Sequence, residues 1–165
     1  MLKSLFGKKQ RVEEEKIVAP LSGKLVRLED VPDPVFSQKL MGDGMAIEPS
    51  ENLVIAPFAG QVIQVFHTKH AIGLRSRLGI ELLIHIGLET VNLNGEGFTP
   101  LVKEGQKVKV GDPLMEIDLT LIRDRAASTI TPIVITNSDS IAYIKKSEPD
   151  IVKKGESPII EVKLK

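Results

Sequence analysis

One pattern occurs twice in the chain, as Val18-Ala-Pro-Leu-Ser-Gly-Lys-Leu-Val26 and as Ile55-Ala-Pro-Phe-Ala-Gly-Gln-Val-Ile63. In each copy a proline interrupts one apolar segment and a glycine precedes the next. Proline and glycine interrupt regular structure, whereas short segments rich in Val and Ile favour strands. Two copies are too few for a solenoid, which needs about three repeats to bury its faces. The repeat therefore predicts duplicated β units in a closed domain with two sheets.

The same alternation of short apolar segments and turn residues continues on both sides of the repeat. It predicts strands near residues 24–29, 45–48, 52–56, 61–66, 70–75, 80–86, 106–110, 114–118, 131–136 and 158–163. Only residues 120–128 have a clear helical pattern, and residues 35–41 are a weaker candidate for a helical turn. Many short strands with few helices predict an all-β fold, an antiparallel β-sandwich or barrel with internal duplication and a few short helical turns.

The composition limits both the size of the fold and the class of function. A chain of 165 residues is long enough for one domain with its own core. The 22 basic and 22 acidic side chains cancel and only 4% of the residues are aromatic, which argues against nucleic-acid binding. The chain has no cysteine, so it has no disulfide or thiol nucleophile, and we expect a cytoplasmic protein.

Residues 1–16 differ in character from the rest, and we predict a flexible tail there, followed by a single domain over residues 17–165. Part of the tail, residues 1–10, has apolar residues on one helical face with lysines beside them: Leu2, Leu5, Phe6, Lys3, Lys8 and Lys9. Weak contact with an anionic membrane surface is one interpretation, and a solvated end is the one we favour. No apolar run approaches the roughly 18 residues of a membrane span, and we expect no export.

The candidate chemistry depends on three histidines, His67, His70 and His85. His85 lies within the apolar segment of residues 79–91, where an ionisable ring needs a partner. Gly87 allows the backbone to bend toward this ring, so a main-chain carbonyl can accept the proton of one ring nitrogen. The other nitrogen then keeps a free lone pair. A neutral imidazole held in one tautomer is a nucleophile toward phosphorus, and the P–N bond it forms is labile.

His70 and Thr68 are candidates for the remaining parts of such a site. If residues 66–70 are extended, alternation places Phe66, Thr68 and His70 on one side and His67 on the other. If this strand adjoins the strand of His85, His70 can donate a hydrogen bond to phosphoryl oxygens and Thr68 can orient the His70 ring. We assign no role to His67.

The segment around His85 closely resembles the active-site signature of glucose-type enzyme IIA of the bacterial phosphoenolpyruvate-dependent sugar phosphotransferase system. The matching segments extend over nearly the whole chain from Ile17: Ile17-Val-Ala-Pro-Leu-Ser-Gly23, Glu29-Asp-Val-Pro-Asp33, Gly42-Asp-Gly44, His70-Ala71, Gly95-Glu-Gly-Phe98, Glu104-Gly-Gln-Lys-Val-Lys-Val-Gly-Asp112 and Ser128-Thr-Ile-Thr-Pro132. The resemblance implies an antiparallel β-sandwich. It also implies a phosphoryl carrier that is loaded by the histidine-containing phosphocarrier protein and unloaded by the IIB domain of a sugar permease, with glucose as the default sugar.

The resemblance also implies roles for individual residues. His85 is similar in position to the phosphorylated residue, His70 to its partner and Thr68 to the hydroxyl beside that partner. An exposed apolar rim for docking the two partner proteins is implied at Phe36, Leu40, Met41, Phe66 and Leu83. Without the resemblance, these five residues would be interpreted as part of the core.

Two positions differ from some relatives. Glu89 stands where some of them have Asp, which leaves a carboxylate near the histidines but gives it a longer reach. The segment Leu74-Arg-Ser-Arg-Leu78 is more basic than in some relatives. Arg75 and Arg77 can tune docking through electrostatics, but we favour a solvated hairpin turn.

Other classes of function remain as alternatives. A zinc hydrolase would use His67, His70 and His85 as ligands, but His67 and His70 are predicted on opposite faces and no His-Glu-x-x-His motif is present. We therefore expect no metal cofactor, with incidental zinc binding at His70 and His85 left open. A lipoyl- or biotinyl-type carrier has similar turn spacing, but Lys107 and Lys109 lack the hairpin motif of such domains. A regulatory binding role is also left open.

Overall fold

The computed structural model describes residues 13–165, and strands dominate this part of the chain. The strands are β1 (Glu14–Val18), β2 (Gly23–Arg27), β3 (Asp43–Pro49), β4 (Leu53–Ile55), β5 (Gly60–Val65), β6 (Ala71–Ser76), β7 (Glu81–His85), β8 (Phe98–Pro100), β9 (Lys107–Val108), β10 (Pro113–Ile117), β11 (Thr131–Ile135), β12 (Ile141–Lys146), β13 (Ile151–Val152) and β14 (Pro158–Leu164). The helices are α1 (Pro34–Ser37) and α2 (Leu119–Arg125), with 3-10 turns at Leu28–Asp30, Thr90–Leu93 and Ser138–Ser140. The predicted all-β class is confirmed.

The strands form one large sheet and two small ones, and every pairing is antiparallel. The eight-stranded sheet has the order β13-β2-β3-β11-β7-β6-β5-β9. The small sheets have the orders β1-β14-β12 and β4-β10-β8. We call β13-β2-β3-β11 the first half of the large sheet and β9-β5-β6-β7 the second half. Each half has a two-residue edge strand followed by a hairpin and a central strand.

The sequence repeat lies at corresponding places in these two halves. Each copy contains the end of one strand, an Ala-Pro turn and a glycine that begins the next strand, β2 or β5. The copies bind each other reciprocally: Val18 N donates to Pro57 O at 3.2 Å, and Ile55 N donates to Pro20 O at 2.9 Å. The duplication predicted from the sequence is therefore also a structural one.

The glycine of each copy is required by a close approach of two backbones. A Cβ added at Gly23 would lie 2.0 Å from Glu48 O, and one added at Gly60 would lie 2.0 Å from Arg75 O. Both distances are far below van der Waals contact, so a side chain would force the strands apart. The same steric demand at both positions explains why the repeat has glycine in each copy.

Two apolar clusters lie on opposite faces of the eight-stranded sheet. The larger cluster joins this sheet to the small ones and includes Phe58, with Leu82 and Ile84 of β7 among its members. The smaller cluster contains Leu83 of the same strand, because successive side chains of a strand point to opposite faces. Its other buried members are Leu28, Val31, Phe36, Ala46, Ala71, Leu88 and Val134. This smaller cluster supports the functional site.

Helix α1 covers the smaller cluster. The Asp33 side chain accepts a hydrogen bond from Val35 N at 3.0 Å, and Pro34 occupies the first helical position, so both residues favour a helix start here. Phe36 is the buried residue of the helix and is 3% exposed. Burying a phenylalanine side chain contributes roughly 1.5–3 kcal/mol, which anchors this short helix to the sheet.

The boundary between tail and domain was predicted too late in the chain. Residues 14–16 belong to β1, which pairs with β14 through Lys16 opposite Glu161 and Glu15 opposite Val162. The segment is charged because β1 is an edge strand, and this hid it from a search for apolar strands. The interpretation of residues 1–10 as an amphipathic contact lies outside the described residues. Within residues 13–165, no helix is long and apolar enough to cross a membrane.

Three further strands, β8, β12 and β13, were not predicted. In β12, Tyr143 and Lys145 are exposed and no residue is fully buried, so the strand lacks a strong apolar pattern. The strands β8 and β13 are only three and two residues long. The predicted helix over residues 120–128 is α2, which begins after Asp118 and ends at Arg125.

Candidate functional site

His70 and His85 meet where β6 begins and β7 ends. These strands pair with Ala71 opposite His85, and Ile86 N donates to His70 O at 2.8 Å. The two imidazole ring centroids are 4.8 Å apart, and the ring planes are inclined by 77°. The sequence predicted this meeting on the condition that the strands are neighbours, and the structure fulfils that condition.

The Gly87 carbonyl selects the tautomer of His85. Nδ1 of His85 lies 2.8 Å from Gly87 O. A carbonyl oxygen can only accept a hydrogen bond, so Nδ1 has the proton and Nε2 has the lone pair. Burial lowers the pKa of His85, and the Gly87 carbonyl and the Asp33 carboxylate partly oppose that shift. His85 is therefore mainly neutral at pH 7.

Gly87 is needed for this contact. Its φ of 76° lies in the left-handed region, which favours glycine. An added Cβ would lie 2.6 Å from Thr90 Cγ2 and 2.9 Å from Ser128 O. Thr90 is itself held in place, because its hydroxyl donates to Ile86 O at 2.7 Å. The backbone at residues 85–87 can therefore curl around the His85 ring only with glycine at position 87.

Thr68 contacts His70 through a turn and not along a strand. Thr68 Oγ1 lies 2.6 Å from His70 Nδ1. Residues 66–70 form a tight turn in which Lys69 has a φ of 63° and Lys69 N donates to Phe66 O at 2.8 Å. The strand alternation used to pair Thr68 with His70 is therefore wrong, although the two side chains do meet. His67 is exposed on this turn.

His70 is the more strongly perturbed of the two rings. It is buried, with only 6% of its surface exposed. Burial, followed by the charge of the neighbouring His85 ring, lowers the pKa of His70 to about 4. At pH 7 the ring is neutral and has a single N–H, and the Thr68 hydroxyl is the group that can decide which nitrogen bears it.

Both rings line a shallow depression of about 320 Å³ whose walls are mostly apolar. The Phe36 ring centroid lies 4.9 Å from that of His85, and the Phe66 ring centroid lies 5.8 Å from that of His70. These apolar walls place few competing polar groups near the reacting nitrogens, and polar interactions there would strengthen once a partner covers the depression.

The predicted docking rim divides into parts with different exposure. Phe36 and Leu83 are 3% and 5% exposed, so they form the floor of the depression and the prediction that they belong to an exposed rim is wrong. Both belong to the smaller core cluster beneath α1. Met41 and Phe66 line the walls, whereas Leu40 is exposed but does not line the depression.

Five lining residues were not among the predicted site residues: Asp33, Val35, Glu89, Thr90 and Val91. Val35 and Val91 are exposed apolar residues in the wall. Asp33 and Glu89 place two carboxylates there. Glu89 has a left-handed backbone with a φ of 59°, an uncommon conformation for this residue type that is found at functional sites. Val91 could have been predicted as a site residue, because it lies in the same segment of sequence as His85. No pattern within α1 indicates that Val35 stays exposed.

The alternative classes of site find no support in the structure. Among residues 13–165, no three His, Asp or Glu side chains lie close enough together to hold a metal ion, as a zinc hydrolase requires. Lys107 lies within strand β9 and Lys109 directly follows it, so neither occupies the middle of a presented hairpin loop. A lysine-linked carrier group therefore has no suitable position at these residues.

The fold and the histidine pair define a class of protein, and the family model described as phosphoenolpyruvate-dependent sugar phosphotransferase system, EIIA 1, matches residues 15–141. The chain belongs to this family, as the resemblance predicted. It is 54% identical to the PTS system glucose-specific EIIA component of Halalkalibacterium halodurans over 99% of both chains. It is 52% identical to the component of the same name from Bacillus cereus over 100% of both chains. It is also similar to the solved glucose permease IIA from Mycoplasma capricolum, with 37% identity, a TM-score of 0.84 and coverage of 90% of this chain and 96% of that one.

Proposed function

We propose that the chain carries a phosphoryl group on Nε2 of His85 between two proteins of the sugar phosphotransferase system. The observation that supports this most is the 2.8 Å contact between His85 Nδ1 and Gly87 O, which leaves Nε2 as the nitrogen with an available lone pair. Family membership supplies the reaction class, phosphotransfer. The names of the relatives favour glucose as the sugar served.

The loading step is an in-line transfer between two histidines. The Nε2 lone pair attacks the phosphorus of a phosphohistidine on the histidine-containing phosphocarrier protein. The new P–N bond forms as the donor's P–N bond breaks, and the released electron pair stays on the donor's ring nitrogen. The His85 ring becomes positively charged, and its Nδ1–H bond to Gly87 O strengthens, because hydrogen bonds to charged groups contribute roughly 1.5–3 kcal/mol.

His70 is proposed to stabilise the transferred group. If the Thr68 hydroxyl donates to Nδ1 across the 2.6 Å contact, the single proton of the neutral ring is on Nε2. That N–H can then donate to a phosphoryl oxygen on His85, because the two rings are 4.8 Å apart. The stabilisation applies to the charge that develops on the phosphoryl oxygens during transfer in either direction.

The apolar walls of the depression are proposed to dock both partners. Val35, Met41 and Val91 are between 41% and 48% exposed, and burying them against a partner would remove water from the transferring phosphoryl group. The partners are the histidine-containing phosphocarrier protein, which loads His85, and the IIB domain of a sugar permease, which unloads it. We propose that the transfer needs no cofactor and takes place in the cytoplasm. Incidental zinc binding at His70 and His85 stays a prediction.

Intact-mass spectrometry of single variants tests the proposal. The protein is incubated with phosphoenolpyruvate, enzyme I and the phosphocarrier protein, and the mass gain of one phosphoryl group is recorded. We expect wild type and the exposed-histidine control His67→Ala to be labelled alike, and His85→Ala to remain unlabelled. We expect His70→Ala to accept the group but to pass it poorly to a IIB domain. Labelling of His85→Ala to the wild-type level would overturn the proposal.

A further inference from the structure

A second concave surface lies at the opposite end of β6 from the histidines. It has a volume of about 360 Å³ and is lined by residues at the ends of β5 and β6 and by β9. Strand β6 runs from Ala71, beside His85, to Ser76, which lines this second surface. The two sites are thus separated by the length of the strand, roughly 17 Å at about 3.3 Å per residue.

Four positively charged side chains line two opposite sides of this surface, which is called the basic groove below. We call one side the lysine bank, formed by Lys107 and Lys109, and the other the arginine bank, formed by Arg75 and Arg77. Gln61 of β5 lies opposite both Lys107 of β9 and Arg75 of β6 in the strand register. Lys109 and Arg77 each lie two residues further along the same banks, and both line the groove. Because neighbouring strands are about 4.8 Å apart, the lysine bank and the arginine bank are separated by roughly 10 Å.

The floor between the banks is made of small or neutral residues at the start of β5 and directly before it. They are Ala59, Gly60 and Gln61, and Arg77 N donates to Ala59 O at 3.1 Å, which ties the arginine bank to this floor. The Gln61 side chain donates to Gly105 O at 3.0 Å and so does not block the groove by pairing with a cation. The floor leaves room for a ligand between the two banks.

Among residues 13–165, no acidic side chain lines the basic groove, but Glu81, Glu15 and Asp112 lie at its margins. Glu81 pairs with Arg75, with Oε2 at 3.2 Å from Nη2. Glu15 lies near Arg77, and the Asp112 carboxylate accepts from the backbone N of Lys109 at 2.9 Å. The whole chain has equal numbers of acidic and basic side chains, so the four cations are a local concentration of charge.

The first half of the sheet supplies an internal comparison. In the basic groove, Lys107, Gln61 and Arg75 lie opposite one another in a row across three strands. The corresponding row of the first half consists of Ile151, Lys24 and Glu48. The positions that correspond to Lys109 and Arg77 are Lys153 and Ser50. The same backbone therefore folds with two cations and one acid where the basic groove has four cations and no acid, and the fold itself does not require the positive charge.

We propose that the basic groove binds an extended acidic segment of a partner protein. An opening of roughly 10 Å accommodates one extended chain, whose alternate side chains point to opposite banks. The repeat of such a chain is about 6.8 Å per two residues, which matches the two-residue step from Lys107 to Lys109 and from Arg75 to Arg77. Four consecutive carboxylates can then each reach a cation. Arg77 can bind its carboxylate in bidentate fashion, whereas Arg75 already donates Nε and Nη2 to Glu81 and has Nη1 left for a ligand.

An acidic segment fits the groove better than nucleic acid or a membrane does. In the part of the chain that the structure describes, no aromatic side chain lines the groove, and single-stranded nucleic acids bind best where bases can stack on aromatic rings. A concave surface with cations on both banks also presents less charge to a flat bilayer than a convex one would. Both classes of ligand serve as competing probes in the test.

Fluorescence anisotropy with a defined peptide tests the proposal on the full chain. The probe is a fluorescein-labelled Gly-Ser-Glu-Glu-Glu-Glu-Ser-Gly peptide, titrated at about 0.15 M ionic strength. We expect Lys107→Gln/Lys109→Gln and Arg75→Gln/Arg77→Gln to weaken binding at least about tenfold each. The control Lys24→Gln/Lys153→Gln also removes two positive charges, but from the first half of the sheet. We expect its affinity for the peptide to stay within about twofold of that of wild type.

Several results would overturn the proposal. The first is that the control variant weakens peptide binding as much as the groove variants do. The second is that a peptide with Gln in place of Glu binds wild type as tightly as the acidic peptide, and the third is that wild type does not bind the acidic peptide measurably. Tighter binding of single-stranded DNA or of phosphatidylserine vesicles than of the peptide would reject the acidic segment in favour of that ligand. We expect the unfolding midpoint and the phosphoryl uptake of all three variants to equal those of wild type. A loss of peptide binding without a change in either would therefore be independent of the function proposed for His85.

Discussion

The two halves of the eight-stranded sheet share a backbone plan but differ in the segments that connect their strands. In the first half, residues 28–42 join β2 to β3 and include α1, which places Phe36 over the sheet. In the second half, residues 66–70 join β5 to β6 in a tight turn that contains Thr68 and His70. The shared strands form the scaffold, with His85 at the end of β7, and the connecting segments that differ place Phe36, Thr68 and His70 beside it.

The largest expected effect tests whether the halves are equivalent. Gly23→Ala and Gly60→Ala each place a Cβ 2.0 Å from a backbone oxygen that cannot move without breaking the sheet. We expect each to lower the free energy of unfolding by about 4 kcal/mol, at the upper end for single substitutions. Urea unfolding measures both. A cost below about 1 kcal/mol for one variant beside a large cost for the other would contradict the equivalence.

The next effect concerns the backbone bend at Gly87, which follows the central strand of the second half. Gly87→Ala combines a left-handed backbone with a crowded Cβ, and Gly79→Ala is its control, because Gly79 has a φ of 99° but nothing within 4 Å of an added Cβ. We expect Gly87→Ala to cost about 3 kcal/mol and Gly79→Ala about 1 kcal/mol. Phosphoryl uptake should fall only in Gly87→Ala, because the carbonyl that holds His85 moves. Equal uptake by the two variants would argue against this role of Gly87.

The sequence predicted the parts of the molecule that depend on local patterns. The repeat, the strands of the core and the approach of a carbonyl to His85 all follow from alternation, turn residues and the position of Gly87. The meeting of His70 with His85 was predicted on the condition that their strands are neighbours, and the family resemblance supported it. These features were accessible because each is determined by residues that are close in sequence or by a recognisable motif.

The remaining features depend on long-range packing. The burial of Phe36 follows from where α1 lies on the smaller cluster, and no pattern within residues 34–37 distinguishes it from the exposed Val35. The charged strand β1 is stabilised by its pairing with β14, which is distant in sequence. The basic groove likewise combines Arg75 and Arg77 with Lys107 and Lys109, which meet only through the register of β5.

A pH titration of stability tests the burial of His70, which has no counterpart in the first half. The pKa of His70 is about 4 in the folded protein, whereas the ordinary value for a histidine, 6.5, applies to the unfolded chain. Between pH 4 and pH 6.5 the unfolded chain therefore binds more protons than the folded protein. The free energy of unfolding should therefore fall as the pH drops below 6.5, by about 2 kcal/mol at pH 5. Urea unfolding of wild type and His70→Asn at pH 7 and pH 5 measures it. The variant should lose most of this dependence and keep the part due to His85; an unchanged dependence would contradict the burial of His70.

The smallest expected effect concerns Thr68. Thr68→Val keeps the shape of the side chain but removes the hydroxyl that lies 2.6 Å from His70 Nδ1. We expect phosphoryl transfer to a IIB domain to slow by about tenfold, because the His70 proton is no longer held on Nε2. Thr68→Ser keeps the hydroxyl and should restore most of the rate. Equal rates for the Val and Ser variants would show that the hydroxyl does not orient His70.

The most direct test of the central claim is to locate the proton and the phosphoryl group on the His85 ring. Long-range proton–nitrogen NMR correlation on ¹⁵N-labelled protein reports the state of each ring nitrogen before and after phosphorylation. We predict a proton on Nδ1 and a lone pair on Nε2 in the free protein, and phosphorus bonded to Nε2 afterwards. A proton on Nε2 in the free protein, or phosphorus on Nδ1 or on another histidine, would contradict the account.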